Sequence, residues 1–155
     1  MRDGLELYVT FPDGCELLYM TPLGGNQFRL EVTSIGSHLR HGDTIEVGLP
    51  LSDGAVPYRR IIRRSGLRTQ CFVLSKKLME SPGMRDFAKQ IEALGGHWEG
   101  IAGGVLIVHV PRKLNLDIQQ ELKRIQQNLE GAAARGAARR DDAPLACVEG
   151  GAGLR

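Results

Sequence analysis

HGDTIEVGLPLSDGAVPYRRIIRRSGLRTQCFVLS, residues 41–75, is the stretch on which the fold turns. His41-Gly42-Asp43 has turn chemistry, with a glycine free to take positive φ beside a residue that bonds its own backbone. Ile45, Val47 and Leu49 then alternate with polar residues, the period of a half-buried strand. Pro50 and Asp53-Gly54 end that strand. Tyr58 to Arg64 has to be extended, with Ile61 and Ile62 on opposite faces. Ser65-Gly66 breaks the run as a bulge or hairpin turn, and Gln70 to Leu74 resumes as a buried strand.

The residues upstream repeat the strand pattern. Leu5, Leu7 and Val9 alternate with Glu6 and Tyr8, Pro12-Asp13-Gly14 supplies a turn, and Cys15–Met20 is a second strand. After Gly24-Gly25-Asn26, the segment Gln27–Ile35 alternates again. Residues 1–57 therefore predict an antiparallel meander, curled into a half-barrel.

Downstream the pattern changes to helices alternating with strands. Ser81-Pro82 is a helix start, serine capping and proline at the first helical position. Met84, Phe87, Ala88, Ile91 and Leu94 share one helical face, and Gly95-Gly96 stops it. Residues 97–101 and 105–110 read as two strands joined through Gly103-Gly104, with Pro111 ending the second. Asn115 or Asp117 caps a last helix carrying Ile118, Leu122, Ile125 and Leu129. Residues 58–130 thus predict a βαββα unit, a ferredoxin-like split βαβ lacking its final strand. A strand of the meander is a candidate to fill the vacant edge. The expectation is one α+β domain over residues 1–130, followed by a low-complexity tail, 131–155, read as disordered or as a frayed helical extension at its start.

Composition sets the outer limits. The chain has 155 residues, 42% apolar and 25% charged, an ordinary globular balance. No apolar run approaches the ~18–20 residues of a membrane span, and the N-terminus lacks the basic-then-apolar order of a signal peptide. A cytoplasmic location is the expectation. Cys15, Cys71 and Cys147 are scattered and form no CxxC pair, which excludes a zinc ribbon or disulfide scaffold; Cys71 reads as a small buried hydrophobe. Residues 1–57 carry a net charge of −5 and residues 58–77 a net charge of +7 within a total of +2, so the two segments can pair across a sheet.

Three stretches resemble a bacterial family known as domain of unknown function 4265: LRHGDTIEV at 39–47, YRRIIRRSGLRT at 58–69, and IEALGGHWEG with VLIVHVP within 91–111. They are similar to that family's Tyr-Gly-Asp turn, its Arg-Ser-Gly segment before a strand, and its helix leading into an aromatic-acid-Gly strand. His41 stands in place of the aromatic, and Leu67 where a histidine is expected. The resemblance spans roughly residues 5–125. It implies a small cytosolic α+β domain and carries no activity.

Candidate chemistry is sparse. Arg59, Arg60, Arg63, Arg64 and Arg68 are candidates for partner or anion binding, since guanidinium forks onto carboxylates and phosphates. Alternation divides them between two faces, which favours a solvated, partly paired strand over a phosphate stripe. His38 and His41 have ligand spacing but nothing in the sequence nominates a third ligand. His97 and Glu99 share a strand face beside Trp98 and read first as a polar pair, acid–base work being the sharper alternative. His109 reads as a hydrogen-bonded histidine at the sheet surface. Neither a glycine-rich phosphate loop nor a nucleophile motif is present. The leading expectation is a non-enzymatic module without cofactor or metal, binding a protein partner or its own copy. A nucleic-acid module using residues 58–77 is the alternative, and a metal protein or enzyme using His97 and Glu99 the second one.

Overall fold

A computed structural model describes residues 3–141, with side chains through residue 138. The architecture is α+β. Five strands, β1 (Leu5–Phe11), β2 (Gly14–Gly24), β3 (Gln27–Leu30), β4 (Thr44–Val47) and β5 (Val56–Arg63), form a closed barrel. Their neighbours pair antiparallel, and the barrel closes by a short parallel pairing of Val9 with Val56 and Thr10 with Pro57. An odd number of up-and-down strands leaves the first and last pointing the same way, so the closing pair has to be parallel. The expected half-barrel is thus complete, filled by Val9, Leu18, Met20, Leu30, Leu39, Ile45, Val47 and Val56.

The second unit is a three-stranded antiparallel sheet in the order β6 (Leu67–Val73), β8 (Val105–Pro111), β7 (His97–Ile101). Helices α1 (Lys76–Met79), α2 (Pro82–Ala93) and α3 (Ile118–Asp141) accompany it. Parallel β6 and β7 with antiparallel β8 between them are the split βαβ arrangement. Ser81 caps α2 by accepting from the Met84 amide, and Pro82 opens the helix. Phe87, Ile91, Leu106, Val108, Val110, Ile118, Leu122 and Ile125 make the core between helices and sheet.

Several local expectations are corrected. Among the described residues no meander strand fills the sheet edge, because the barrel satisfies its own edges by closing. Ser65-Gly66 is the crossing from barrel to sheet, not a hairpin. The strand expected over residues 27–35 stops at Leu30, where the chain bends away: Glu16 accepts from the Ser34 hydroxyl and the Ile35 amide, and Glu99 from the Thr33 amide. Leu49 lies outside β4 and is exposed, and so is Cys71. Helix α3 continues through residues 131–141, carried by the alanines of that segment despite Gly131 and Gly136. Residues 142–155 lie outside the described range.

Candidate functional site at the barrel–sheet junction

One turn, one loop and one strand meet where the barrel rests on the sheet. The turn is residues 40–43, tightened by the Asp43 amide donating to the Arg40 carbonyl at 3.0 Å with Gly42 at φ +84°. It presents His41 to the face of β7 that carries His97 and Glu99. These two stand at i, i+2 and pair with His109 and Ile107 of β8, so His109, His97 and Glu99 share a face, while Trp98 points to the helix core.

The rings of His41 and His97 stack with centroids 3.8 Å apart and planes 14° from parallel; His41 and His109 lie 5.4 Å apart, and His97 and His109 6.0 Å. His97 Nε2 is 3.9 Å from Glu99 Oε1. Glu99 is fixed on both oxygens: Oε1 accepts from the Thr33 amide at 2.7 Å, and Oε2 lies 3.1 Å from His109 Nε2. His109, expected at the sheet surface, is fully buried, because Thr33 and the barrel loop cover that end of the sheet. An ionised carboxylate only accepts, so His109 Nε2–H donates to Glu99, and in the neutral ring Nδ1 accepts from the Thr69 hydroxyl at 2.9 Å. Thr33 Oγ1, 3.0 Å from the same Nε2, also accepts from the His41 amide.

Protonation follows from these contacts. Burial acts most strongly on Glu99 and would raise its pKa, but hydrogen bonds from His109 and Thr33 outweigh it and hold the carboxyl below its usual 4.5. Burial acts most strongly on His41 as well, and there it prevails: the ring's pKa lies below 6.5 despite a hydrogen bond to the Glu31 backbone and the nearby carboxylates. His41 Nδ1 is buried with no hydrogen-bond partner. In the tautomer that carries its proton on the other ring nitrogen, Nδ1 offers a lone pair to a cation or donor. One ligand atom each from His41, His97 and Glu99 lies within 4.8 Å of the others.

The sequence paired His41 with His38, but His38 sits elsewhere, edge-on to Tyr58 at 6.2 Å. The partners of His41 come from 56 and 58 residues downstream, and no spacing rule reaches that far.

Arg59, Arg60, Arg63 and Arg64 are exposed and Arg68 is half-buried, and three of the five are engaged within the chain. Arg60 pairs with Glu46 at 3.1 Å, one contact between the oppositely charged segments. Arg64 reaches Asp43 at 2.9 Å and the His38 carbonyl at 3.1 Å. Arg68, on β6, donates to the Leu116 carbonyl at 2.7 Å. Arg59 crosses the barrel strand beside Gly48, and Arg63 stands exposed opposite Thr44. The register of β5 on β4 shifts twice, at Arg59 and at Ile62, so strict alternation does not hold along these residues.

No protein-family model matches the chain, and no curated protein does. Among solved structures it is similar to a hypothetical protein from Neisseria gonorrhoeae, with 18% identity and a TM-score of 0.46 over 86% of this chain and 89% of that one. Among the described residues no helix is long and apolar enough to cross a membrane.

Proposed function

We propose that this chain is a metal-binding module whose barrel–sheet junction takes one divalent transition-metal ion on His41, His97 and Glu99. One observation carries the reading: three ligand atoms of suitable type converge while Nδ1 of His41 is buried without a partner. A buried acceptor left unmatched costs ~1–3 kcal/mol, and a cation supplies what is missing. Two imidazoles and a carboxylate suit zinc and its first-row neighbours, whereas calcium and magnesium favour all-oxygen sets. His109 is the positioning residue, holding Glu99 from behind while Thr69 fixes its ring. Three protein ligands leave a fourth position for water or an exogenous ligand.

Imidazole lone pairs lie in the ring plane, so stacked rings cannot aim at one ion. Coordination therefore draws His41 and His97 out of their stack and brings the donors to about 3.4 Å apart, the spacing of tetrahedral bonds of ~2.1 Å. The nucleic-acid alternative needs the arginines free to meet phosphates, and Arg60, Arg64 and Arg68 already have protein partners.

The test is a calorimetric titration of chelator-treated protein with Zn²⁺ at pH 7.5, repeated with Co²⁺ by absorption spectroscopy. One ion per chain is expected, with His41→Ala and His97→Ala each weakening binding at least tenfold and His109→Gln by about 10–100-fold. At zinc about 100-fold above Kd, stability should rise by ~2.7 kcal/mol. Absence of stoichiometric binding by the wild type, or undiminished binding by His97→Ala, would refute the proposal.

A further inference from the structure

The outer edge of β6 has no strand beside it among the described residues, and the strand is built to receive one. Its register on β8 runs unbroken from Leu67 opposite Pro111 to Val73 opposite Val105. Exposed edges are usually blunted by proline, charge, a bulge or brevity, and of these the seven residues LRTQCFV carry only the charge of Arg68, which is tied to the Leu116 carbonyl. The Gly66 carbonyl accepts from Arg112 and the Leu74 amide donates to Gly104, so even-numbered residues bond to β8. The backbone groups of Leu67, Thr69, Cys71 and Val73 therefore face outward.

A second, independent observation lies on the same strand. Four buried side-chain atoms among the described residues lack a hydrogen-bond partner, and two of them, Gln70 Oε1 and Arg68 Nε, belong to β6. Gln70 is the central residue of the strand. We infer that β6 pairs antiparallel with β6 of a second copy of this chain about a two-fold axis at Gln70, joining two three-stranded sheets into one of six strands. In that register each Gln70 faces its mate at a site without ladder hydrogen bonds, where Cα atoms come to about 4.5 Å. The two amides then bond reciprocally, and each orphaned oxygen gains a donor. Arg68 falls opposite Phe72 of the other copy, a cation–π pair, instead of opposite another arginine. Thr69 meets Cys71, and Leu67 meets Val73, whose side chain is otherwise 79% exposed. No like charges oppose each other within the strand, so self-pairing incurs no electrostatic penalty there. This inference is independent of the metal reading, and its test is run in chelator.

Light scattering after size exclusion, on the full chain at concentrations up to the order of 100 µM, should give the mass of two chains, in the range of a small interface. Cys71→Pro removes an outward N–H that β8 does not use, so it should be monomeric with unchanged circular dichroism. In a background with Cys15, Cys71 and Cys147 changed to serine, Gln70→Cys should form an intermolecular disulfide under mild oxidation. A cysteine at position 71 in the same background should not, since it sits on a diagonal beyond ~7 Å. A wild type monomeric throughout, a dimer surviving Cys71→Pro, or cross-linking at position 71 as readily as at 70 would each overturn the inference.

Discussion

Replacing Asp43 by alanine should be among the most damaging single changes in the barrel. The side chain is 1% exposed and accepts three hydrogen bonds: from the Arg40 amide at 3.0 Å, the Ser65 amide at 2.8 Å and the Arg64 guanidinium at 2.9 Å. Two explanations of its importance are separable by magnitude. If the ion pair matters most, Arg64→Ala should cost as much as Asp43→Ala. The Arg64 side chain is 51% exposed, however, and exposed ion pairs contribute only ~0–1 kcal/mol. The two main-chain donors are different, because each loses a charged acceptor in a site with little water, at ~1.5–3 kcal/mol apiece. Allowing for some water entry, Asp43→Ala should cost about 3–4 kcal/mol, Asp43→Asn about half that, and Arg64→Ala about 0.5 kcal/mol.

Urea denaturation followed by circular dichroism measures all three. Against a typical total of ~5–15 kcal/mol, the alanine variant should show a much lower midpoint with an unchanged slope. A loss below about 1 kcal/mol for Asp43→Ala, or equal losses for Asp43→Ala and Arg64→Ala, would refute the view that this carboxylate acts by capping backbone amides.

Two further outcomes follow from local geometry and charge. Gly104→Ala should destabilise by about 2 kcal/mol or more, because φ is +83° and the added Cβ points into the Leu74 carbonyl, whereas Gly103→Ala, at φ +91° with open space, should cost only about 1 kcal/mol; thermal melts separate them. Stability should fall as pH drops, in two stages. His41 has a folded pKa below its ordinary 6.5, so the unfolded chain takes the proton first and stability declines as pH falls through that value. Glu99 is held below 4.5 in the folded state, so its contribution is present above that pH and is lost as pH falls through the lowered value. Urea midpoints from pH 8 to pH 3 should show both limbs, the first flattened by His41→Asn and the second by Glu99→Gln; a rise in stability between pH 7 and pH 5.5 would contradict the assignment.

The parts of the fold legible in the sequence are those set by neighbours in the chain. Ser81 and Pro82 specify where α2 starts, Gly95 where it ends, and Pro12-Asp13 the turn between β1 and β2, all through local backbone preferences. Alternation located β1 and the inward positions of β4. It over-extended β3, because the side chains that bend the chain after Leu30 out of the strand are Glu16 and Glu99, which accept from Thr33, Ser34 and Ile35 and which no window around that segment contains. It also placed Cys71 inside: the residue alternates correctly, but its face of the sheet is covered only toward the His109 end.

The candidate site was legible only as fragments for the same reason. The spacing of His97 and Glu99 puts them on one strand face, yet whether such a pair is an isolated polar contact or half of a ligand set depends on what packs above it. That is decided by the turn at His41, and the turn is held from its other side. Gly42 comes so close to Ser65 that a Cβ would sit 2.9 Å from the serine Cβ, and Asp43 takes the Ser65 amide at 2.8 Å. The turn is thus fastened to the crossing between barrel and sheet at one residue and delivers an imidazole to β7 from a residue two positions away. Positioning and anchoring share one short segment, so they cannot vary independently. Asp43→Asn, which touches none of the proposed ligands, should therefore weaken zinc binding by a severalfold factor while His38→Ala, on the far side of the loop, leaves it unchanged. Equal binding by Asp43→Asn and wild type would mean that His41 finds its place without the anchor.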